Sequence, residues 1–213
     1  LRKLEADKMR LQTQRANVID LIKTITDVFF FEARQKKIYL NFASEVNELD
    51  LWFDPEKLEK VFYNLLSNAL KFTPSGGRVD VLVVQRKGWV EIIVKDNGPG
   101  IPAAQLDKVF DRFFQIDDSD TRSFAGSGIG LSLVKELVKL MRGDISVKSN
   151  VGCDTVFTVL LPIVKEASIT TAGFIAQKAD LTETISEASN DASDSKPKSS
   201  KGVKPRILLV EDN

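Results

Sequence analysis

A carboxylate and two glycines stand together directly after an apolar strand pattern. Residues 96–101 have the sequence D-N-G-P-G-I and follow the alternating residues Val90, Ile92 and Val94, which predicts a half-buried strand ending at Asp96. Because ligands bind at the open edges of α/β sheets, this carboxylate is expected to face a pocket. Glycine has no Cβ, so a flat ring can lie close to the chain. A carboxylate accepting from an exocyclic amine suits adenine, and a simple tight turn is the alternative.

A second candidate for ligand chemistry is a glycine-rich segment. Residues 126–131 have the sequence G-S-G-I-G-L, and the apolar spacing that follows predicts an amphipathic helix through Met141. Free backbone N–H groups and a helix dipole favour phosphates at such a helix start. The G-x-G-x-G pattern alone is a weak indication. Residues 115–125 before it show no period and are predicted to form a mobile loop.

A row of polar side chains lies on one predicted helix. Residues 54–56 place Asp at an N-cap, Pro at the first helical position and an acid in the first turn, so a helix is expected from there to about Phe72. Asn64, Asn68 and Lys71 are spaced four and three residues apart. Two amides and an ammonium therefore lie along one side of this helix.

The remaining elements are predicted from apolar spacing. Residues 1–16 indicate a charged helix with a thin apolar seam, either the end of a coiled coil or a solvated helix. A second amphipathic helix is expected from Val18 to about Gln35, and a helical turn from Ala103 to Phe110. Alternating residues predict strands, the third and fourth joined as a hairpin, at 38–42, 49–53, 79–83, 90–94, 145–147 and 156–160.

Composition bounds the possible functions. The chain has 213 residues, of which 43% are hydrophobic and 28% charged, enough for one core with flanking segments. Lys+Arg and Asp+Glu are both 30, so neither nucleic-acid nor anionic-membrane binding is expected. The chain has no histidine, which excludes Ser/His/Asp and Cys/His catalysis and zinc sites that need imidazole. The single Cys153 excludes an internal disulfide and fits a reducing compartment.

The C-terminal region changes character. From about Lys165 to Lys204 the chain is rich in Ser, Ala, Thr, Lys and Asp and poor in large apolar residues, which predicts a linker. Residues 206–213 are typical of a buried strand that ends in an acidic pair. They are expected to begin a second domain, and both ends of the chain are expected to be cut from a longer protein.

Four motifs occur in a fixed order, namely N-x-x-x-N-A-x-K-F at 64–72, D-N-G-P-G-I at 96–101, F-D-R-F-F at 110–114 and G-S-G-I-G-L at 126–131. Together they resemble the catalytic and ATP-binding domain of sensor histidine kinases, in the GHKL ATPase superfamily. The resemblance implies an α+β fold, a two-layer α/β sandwich in which helices cover one face of a mixed, mostly antiparallel sheet, preceded by a helical segment.

The resemblance also implies a domain order. Residues 1–35 look like the end of a dimerisation helix and its connector, and residues 36–163 like the ATP-binding domain. Residues 164–205 would be a flexible linker, and 206–213 look like the first strand of a receiver domain. This order resembles a hybrid histidine kinase.

The resemblance implies roles for single residues. Asp96 would bind the adenine amine, and Asn68 would coordinate Mg²⁺ through its side-chain oxygen. The ring side would include Gly98, Gly100, Ile101 and Thr155. The phosphate side would include Asn64, Lys71, the aromatic position Phe72, and the glycine segment Gly126, Ser127, Gly128, Gly130 and Leu131. The lid would be anchored by Phe110, Arg112 and Phe113.

Three features depart from the family pattern. Asp154 stands where a glycine is usual, so that turn is expected to differ. Gln115 stands where related kinases can place an arginine toward the γ-phosphate, which makes Arg122 a candidate substitute. The phosphoacceptor histidine is missing, so this chain cannot phosphorylate itself.

The same resemblance separates hydrolysis from transfer. Hydrolases of the superfamily place a glutamate, as general base for water, four residues before the Mg²⁺-binding asparagine, and here that position is Asn64. An amide cannot take a proton, so the γ-phosphoryl is kept for another nucleophile. Expected partners are a homodimeric dimerisation domain and a receiver or response regulator, in the cytoplasm, with the full-length protein anchored in the membrane. The alternatives are a nucleotide-gated interaction module or degenerate kinase, and a serine kinase of the superfamily.

Overall fold

Strands, mostly in consecutive pairs, are separated by helices along the chain. The computed structural model describes residues 10–115 and 127–164, so the predictions for residues 1–9, most of the loop at 115–125, the linker and the receiver-like strand lie outside the described residues. The elements in chain order are β1 (Gln14–Asn17), α1 (Val18–Val28), α2 (Phe30–Gln35), β2 (Tyr39–Ser44), β3 (Asp50–Phe53), α3 (Pro55–Phe72), β4 (Arg78–Arg86), β5 (Trp89–Asp96), α4 (Gly130–Leu140), β6 (Asp144–Asn150) and β7 (Asp154–Pro162).

The central sheet has five strands in the order β2-β4-β5-β7-β6. β2 pairs with β4 in parallel, and the other three pairings are antiparallel. The predicted hairpin of β4 and β5 is present, and Gly88 in its turn has a φ of +79°, which glycine adopts without steric cost. β1 and β3 form a separate antiparallel pair. The predicted mixed, mostly antiparallel sheet is confirmed.

Helices α1, α3 and α4 share one buried core with the sheet. Phe62 of α3, Ile22 of α1 and Val134 of α4 are all fully buried. On the strands, alternate residues such as Val81 and Ile92 are buried as well, as expected when one face of a sheet is covered. The predicted two-layer α+β arrangement is therefore confirmed. None of the described helices combines the length and apolarity of a membrane span.

Two helix predictions near the N-terminus are wrong in part. Residues 14–17 form β1, which pairs with β3, because backbone pairing with a distant strand outweighs local helix preference. The helix expected to run from Val18 to Gln35 is divided at Phe29. The hydroxyl of Thr26 donates to the carbonyl of Ile22 at 2.7 Å, a bond that bends helices, and Phe29 is buried with its ring 4.7 Å from that of Tyr63.

A further expectation is corrected. The helical turn predicted from Ala103 to Phe110 is a short 3₁₀ turn at Ala103–Gln105 followed by turns. Ile22 of α1 belongs to the same buried cluster as Leu58 of α3, so the segment before residue 36 packs on the predicted ATP-binding domain, and the boundary between residues 35 and 36 stays a prediction. The apolar face of α1 was recognisable in the sequence, but its packing partner was not.

The start of α3 is fixed by a buried carboxylate. Asp54 accepts from the backbone N–H of Lys57 at 3.1 Å, from the Lys57 ammonium at 2.6 Å and from the backbone N–H of Gln12 at 2.7 Å. Burial alone would raise the pKa of Asp54, but these hydrogen bonds hold it below its usual value. The predicted N-cap is confirmed, and it anchors the helix that carries the predicted polar row.

Candidate functional site

Asp96 is the last residue of β5, and one oxygen of its buried carboxylate has no hydrogen-bond partner among the described residues. It lies opposite Thr155 of β7, is 5% exposed, and accepts from the backbone N–H of Gly98 at 2.9 Å through Oδ1. Burial raises the pKa of Asp96 to about 6, although the Gly98 hydrogen bond acts against this and nearby Asp154 adds to it. Among the described residues Oδ2 has no hydrogen-bond partner, so it can accept from a ligand.

The loop after Asp96 is held against the turn between β6 and β7. Gly100 has a φ of +75°, and a Cβ there would run into the backbone carbonyl of Asn150. The backbone N–H of Ile101 donates to the Ser149 hydroxyl at 2.8 Å, and this hydroxyl donates to the carbonyl of Asp154 at 2.6 Å. The predicted glycine-lined surface beside Asp96 is therefore a fixed loop.

The same loop reaches the C-terminal end of α3. A Cβ at Gly98 would lie 3.0 Å from the carbonyl oxygen of Phe72, the last residue of α3. The Lys71 ammonium lies 5.1 Å from the centroid of the Phe72 ring, within cation–π range. Asp96 and the end of the polar row on α3 are therefore neighbours.

The glycine segment meets α3 further toward its middle. Gly130 is the first residue of α4, and a Cβ there would lie 2.7 Å from Oδ1 of Asn64. The Asn64 amide nitrogen donates to the Lys60 carbonyl at 2.7 Å, so the Asn64 oxygen is directed to the glycine segment. Leu131 packs against the core, which holds the start of α4 in place.

One helix thus joins the two groups of predicted residues. Asn64 and Phe72 are eight residues apart on α3, about 12 Å at the helical rise of 1.5 Å per residue. Asn68 lies midway on the same side and is half-buried, without a hydrogen-bond partner among the described residues. The two ends of this row lie beside Asp96 and Gly130, so the acid, the amides and the described part of the glycine segment line one continuous surface.

The predicted lid residues are held by other side chains. The Phe110 ring meets the Phe157 ring edge-on at 6.3 Å and has the Lys135 ammonium 5.3 Å from its centroid. The Arg112 guanidinium lies 2.5 Å from Glu136 of α4, and this pairing raises its pKa. The contact of Phe110 with β7 and the contact of Arg112 with α4 hold the segment between β5 and α4 in place.

Phe113 adjoins the glycine segment through its backbone. It has a φ of +65° and donates its N–H to the carbonyl of Gly128 at 2.9 Å. A Cβ at Gly128, whose φ is +66°, would lie 2.7 Å from the Phe113 Cα, so glycine is required there. Ser127 is exposed, while Gly126 and Arg122 lie outside the described residues.

Asp154, in the family's glycine position, forms an ion pair. Its carboxylate lies 2.9 Å from the Lys95 ammonium and accepts from the Asn150 side chain at 3.1 Å, which lowers its pKa. The turn still closes, with Gly152 at a φ of +75°. Asp154, Ser149 and Glu136 were not predicted as supports of the site, because their partners become neighbours only through strand register and helix packing.

The polar row offers oxygens of a kind that magnesium accepts. Oδ1 of Asn64 faces the space that a Cβ at Gly130 would fill, and the Asn68 amide has no described partner. Mg²⁺ uses few protein oxygens, with waters and phosphates completing its shell. The described residues contain no cluster of acids, histidines or cysteines for an all-protein cage. Asn64 and Asn68 therefore fit a magnesium ion that is held jointly with phosphates.

Comparison with known proteins decides the family. The model of the "Histidine kinase-, DNA gyrase B-, and HSP90-like ATPase" family matches residues 53–165, more than half of the chain. The chain belongs to this family. It has the ATP-binding domain of the family, and its matched region contains α3, Asp96 and the glycine segment.

Its relatives are sensor histidine kinases. Sensor histidine kinase TmoS of Ectopseudomonas mendocina is 34% identical over 220 residues, which cover 100% of this chain and 22% of TmoS. Hybrid signal transduction histidine kinase D of Dictyostelium discoideum is 36% identical over 166 residues, which cover 76% of this chain and 11% of that protein. The chain therefore spans about a fifth or less of the length of these relatives.

Solved histidine kinase structures share the fold. The mycobacterial sensor histidine kinase MprB is 29% identical with a TM-score of 0.59, covering 71% of this chain and 97% of that one. Full-length ShkA in complex with AMPPNP is 25% identical with a TM-score of 0.67, covering 75% of this chain and 33% of ShkA. This chain is accordingly an ATP-binding catalytic domain of the sensor histidine kinase type.

Proposed function

We propose that this chain binds Mg-ATP along the polar side of α3 and supplies the γ-phosphoryl to a histidine of a dimerisation domain in a hybrid sensor histidine kinase. One observation carries the proposal. The open oxygen of buried Asp96 and the glycine segment at Gly130 lie beside two ends of a single row of polar residues, Asn64, Asn68 and Lys71.

The adenine would lie at the Asp96 end. An exocyclic amine would donate to the free Oδ2 of Asp96, and a flat ring would lie over the backbone of Gly98 and Gly100. Ile101 and Thr155 would border the ring from the loop and from β7. Asp96 is 5% exposed, and a charge-assisted hydrogen bond to its carboxylate is worth about 1.5–3 kcal/mol.

The phosphates would lie at the Gly130 end. Backbone N–H groups at the start of α4, with the helix dipole, attract phosphate oxygens. The segment assigned to them is Gly126 to Leu131, and the Lys71 ammonium, which lies 5.1 Å from the centroid of the Phe72 ring, would turn along α3 to reach them. Asn64 and Asn68 would hold Mg²⁺, which when bound neutralises charge on the phosphate oxygens.

The polar row favours phosphoryl transfer over hydrolysis. A hydrolytic water needs a base beside it, and the α3 side chain beside Gly130 is the amide of Asn64. Phosphoryl transfer needs mainly positioning and charge neutralisation, which Lys71, Asn68 and the glycine segment would supply. Arg122 is a candidate for added positive charge at the γ-phosphate.

The proposed setting is a larger signalling protein. The acceptor histidine would belong to a dimerisation domain outside this chain, in a homodimer. Residues 164–205 would link the ATP-binding domain to a receiver that begins at 206–213, or the phosphoryl group would pass to a separate response regulator. The domain would act in the cytoplasm, with the full-length protein anchored in the membrane.

Phosphorylation in trans tests the proposal. The chain is mixed with γ-labelled ATP, Mg²⁺ and a dimeric helical domain that carries the phosphoacceptor histidine of a sensor kinase. An acid-labile, alkali-stable phosphohistidine is expected, and it should be lost when the acceptor histidine is changed to glutamine or when Asp96→Ala is used. ATP binding without any phosphohistidine would contradict transfer and favour the interaction module or degenerate kinase.

A further inference from the structure

Large apolar side chains are exposed in the segment from the end of α1 through α2 to the start of β2. Val28, Phe30, Phe31 and Tyr39 are 58%, 44%, 72% and 74% exposed. A groove of about 580 Å³ runs between α2 and the start of β2. We call these four residues and the groove the α2–β2 surface. The groove is lined by Phe30, Ala33, Arg34, Lys37, Ile38, Tyr39 and Leu40.

The composition of this surface is typical of a protein interface. Phe30 and Tyr39 are exposed and both line the groove, and exposed apolar patches on soluble domains mark interaction sites. Aromatic residues and arginine are also the residue types enriched at the centres of interfaces. The nucleotide site proposed above uses none of these residues, so the α2–β2 surface needs a separate explanation.

Two cations at the groove have no acid partner. Lys36 nearby is paired with Glu32 at 2.7 Å, and Arg78, opposite Tyr39 on β4, is paired with Asp80. Arg34 and Lys37, in contrast, form no ion pair among the described residues. The groove therefore combines an apolar floor with uncompensated positive charge.

The backbone at Lys37 strengthens this observation. Lys37 follows α2 with a φ of +57°, and the N–H of Ile38 donates back to the carbonyl of Ala33 at 2.8 Å. This is the helix-ending position at which glycine is normally found. A lysine is therefore kept in a conformation that disfavours side chains, at the edge of the groove.

We propose that the α2–β2 surface docks an amphipathic, acidic segment of a partner protein. Apolar side chains of the segment would enter the groove against Phe30 and Tyr39, and its carboxylates would pair with Arg34 and Lys37. A second copy of this chain does not fit, because face-to-face packing would bring the same cations together. A nucleic acid is the poorer match, because Lys+Arg and Asp+Glu are both 30 in the chain and two cations attract a phosphate backbone only weakly.

Nuclear magnetic resonance with designed peptides tests the proposal. The probe is a helical peptide with leucines on one face and glutamates on the other, titrated into the ¹⁵N-labelled chain. Its matched counterpart has lysine in place of every glutamate. We expect saturable shifts at the amides of residues 30–40 with the acidic peptide and none there with the basic one.

Charge reversal makes the test specific. Arg34→Glu should weaken the acidic peptide about tenfold or more and create binding of the basic peptide. Lys87→Glu, at the far end of β4 in the hairpin turn, is the control and should change neither. Lys37→Gly should weaken the acidic peptide while raising the melting temperature, because glycine relieves the left-handed backbone.

Three results would overturn the proposal. They are no shifts at residues 30–40 up to millimolar acidic peptide, equal shifts with both peptides, or an Arg34→Glu variant that keeps its melting temperature and its preference for the acidic peptide. The melting temperature of each variant separates a lost docking site from a lost fold.

Discussion

Asp96 is a carboxylate that the fold buries with no cationic partner among the described residues. It is 5% exposed, and its only hydrogen bond among the described residues comes from the Gly98 backbone. The raised pKa of about 6 expresses the cost of keeping this group ionised in a poorly hydrated position. Such a cost is retained where function needs the charge, so stability and nucleotide binding should respond to Asp96 in opposite directions.

Asp96→Asn should stabilise the fold and weaken ATP binding. The pKa of Asp96 rises from 3.8 to about 6 on folding, so the ionised group costs stability above pH 6, and the cost fades as the pH falls through 6 toward 4. Urea unfolding should therefore show a gain of at most about 3 kcal/mol at pH 7.5 and little gain at pH 4. Calorimetric ATP affinity should fall about tenfold or more.

The exposed Asp107 provides the matched control for Asp96. Asp107→Asn should change neither stability nor ATP affinity. Wild-type ATP affinity should also decline as the pH drops below 6, as the Asp96 carboxylate takes up a proton. An Asp96→Asn variant that binds ATP as well as wild type would place the adenine elsewhere.

Ser149 is predicted to position the loop that borders the ring. Ser149→Ala removes the acceptor for the Ile101 N–H, which is 2.8 Å from the hydroxyl. Stability should fall by about 1–2 kcal/mol, and ATP affinity should fall several-fold. Ser149→Thr, which keeps a hydroxyl, should restore binding, and Ser146→Ala on the exposed side of β6 should have no effect. Equal ATP binding by Ser149→Ala and Ser146→Ala would refute this role.

At the scale of elements, the predictable parts are those that local chemistry determines. The helix expected from residue 54 to about Phe72 is observed as Pro55–Phe72, because its N-cap and apolar stripe lie within the segment itself. β1 was not predictable, since residues 14–17 become a strand only by pairing with β3. The break at Phe29 likewise depends on burial against Tyr63.

The candidate site likewise has parts that the sequence predicts and parts that it does not. The motifs identified Asp96, the polar row on α3 and the glycine segment, because their residue types carry the chemistry. The side chains that hold these parts were not recognisable, since Ser149 meets Ile101, and Arg112 meets Glu136, only through tertiary packing.

The start of α4 is predicted to require glycine for function and not for folding. In Gly130→Ala the new Cβ would lie 2.7 Å from Oδ1 of Asn64, so the amide must turn away from the glycine segment. Stability should not fall, because alanine favours a helix over glycine by about 1 kcal/mol. Mg-ATP affinity should decrease, and its dependence on Mg²⁺ should weaken.

The control for Gly130 is an exposed position on the same helix. Lys139→Ala should leave both stability and Mg-ATP affinity unchanged, and calorimetry with and without Mg²⁺ measures the difference. If Gly130→Ala binds Mg-ATP with wild-type affinity and wild-type magnesium dependence, Asn64 does not contact the metal.

At the scale of the whole molecule, one core positions both halves of the site. α3 packs against the central sheet, whose strand β5 ends at Asp96. It also packs against α4, whose first residue is Gly130. The distance between the halves is therefore fixed by the buried face of α3, whose residues Leu58, Phe62 and Leu65 are almost completely buried. The adenine and phosphate positions are expected to act as two separable subsites on a rigid frame.

Nuclear magnetic resonance of the ¹⁵N-labelled chain with dissected ligands tests this central claim most directly. Adenosine alone should shift the amides of residues 96–101, and magnesium tripolyphosphate should shift those of residues 127–131 and the side-chain amides of Asn64 and Asn68. A non-hydrolysable Mg-ATP analogue should shift both sets together at much lower concentration. If the analogue shifts only one set, or residues outside both, the single nucleotide site along α3 is wrong.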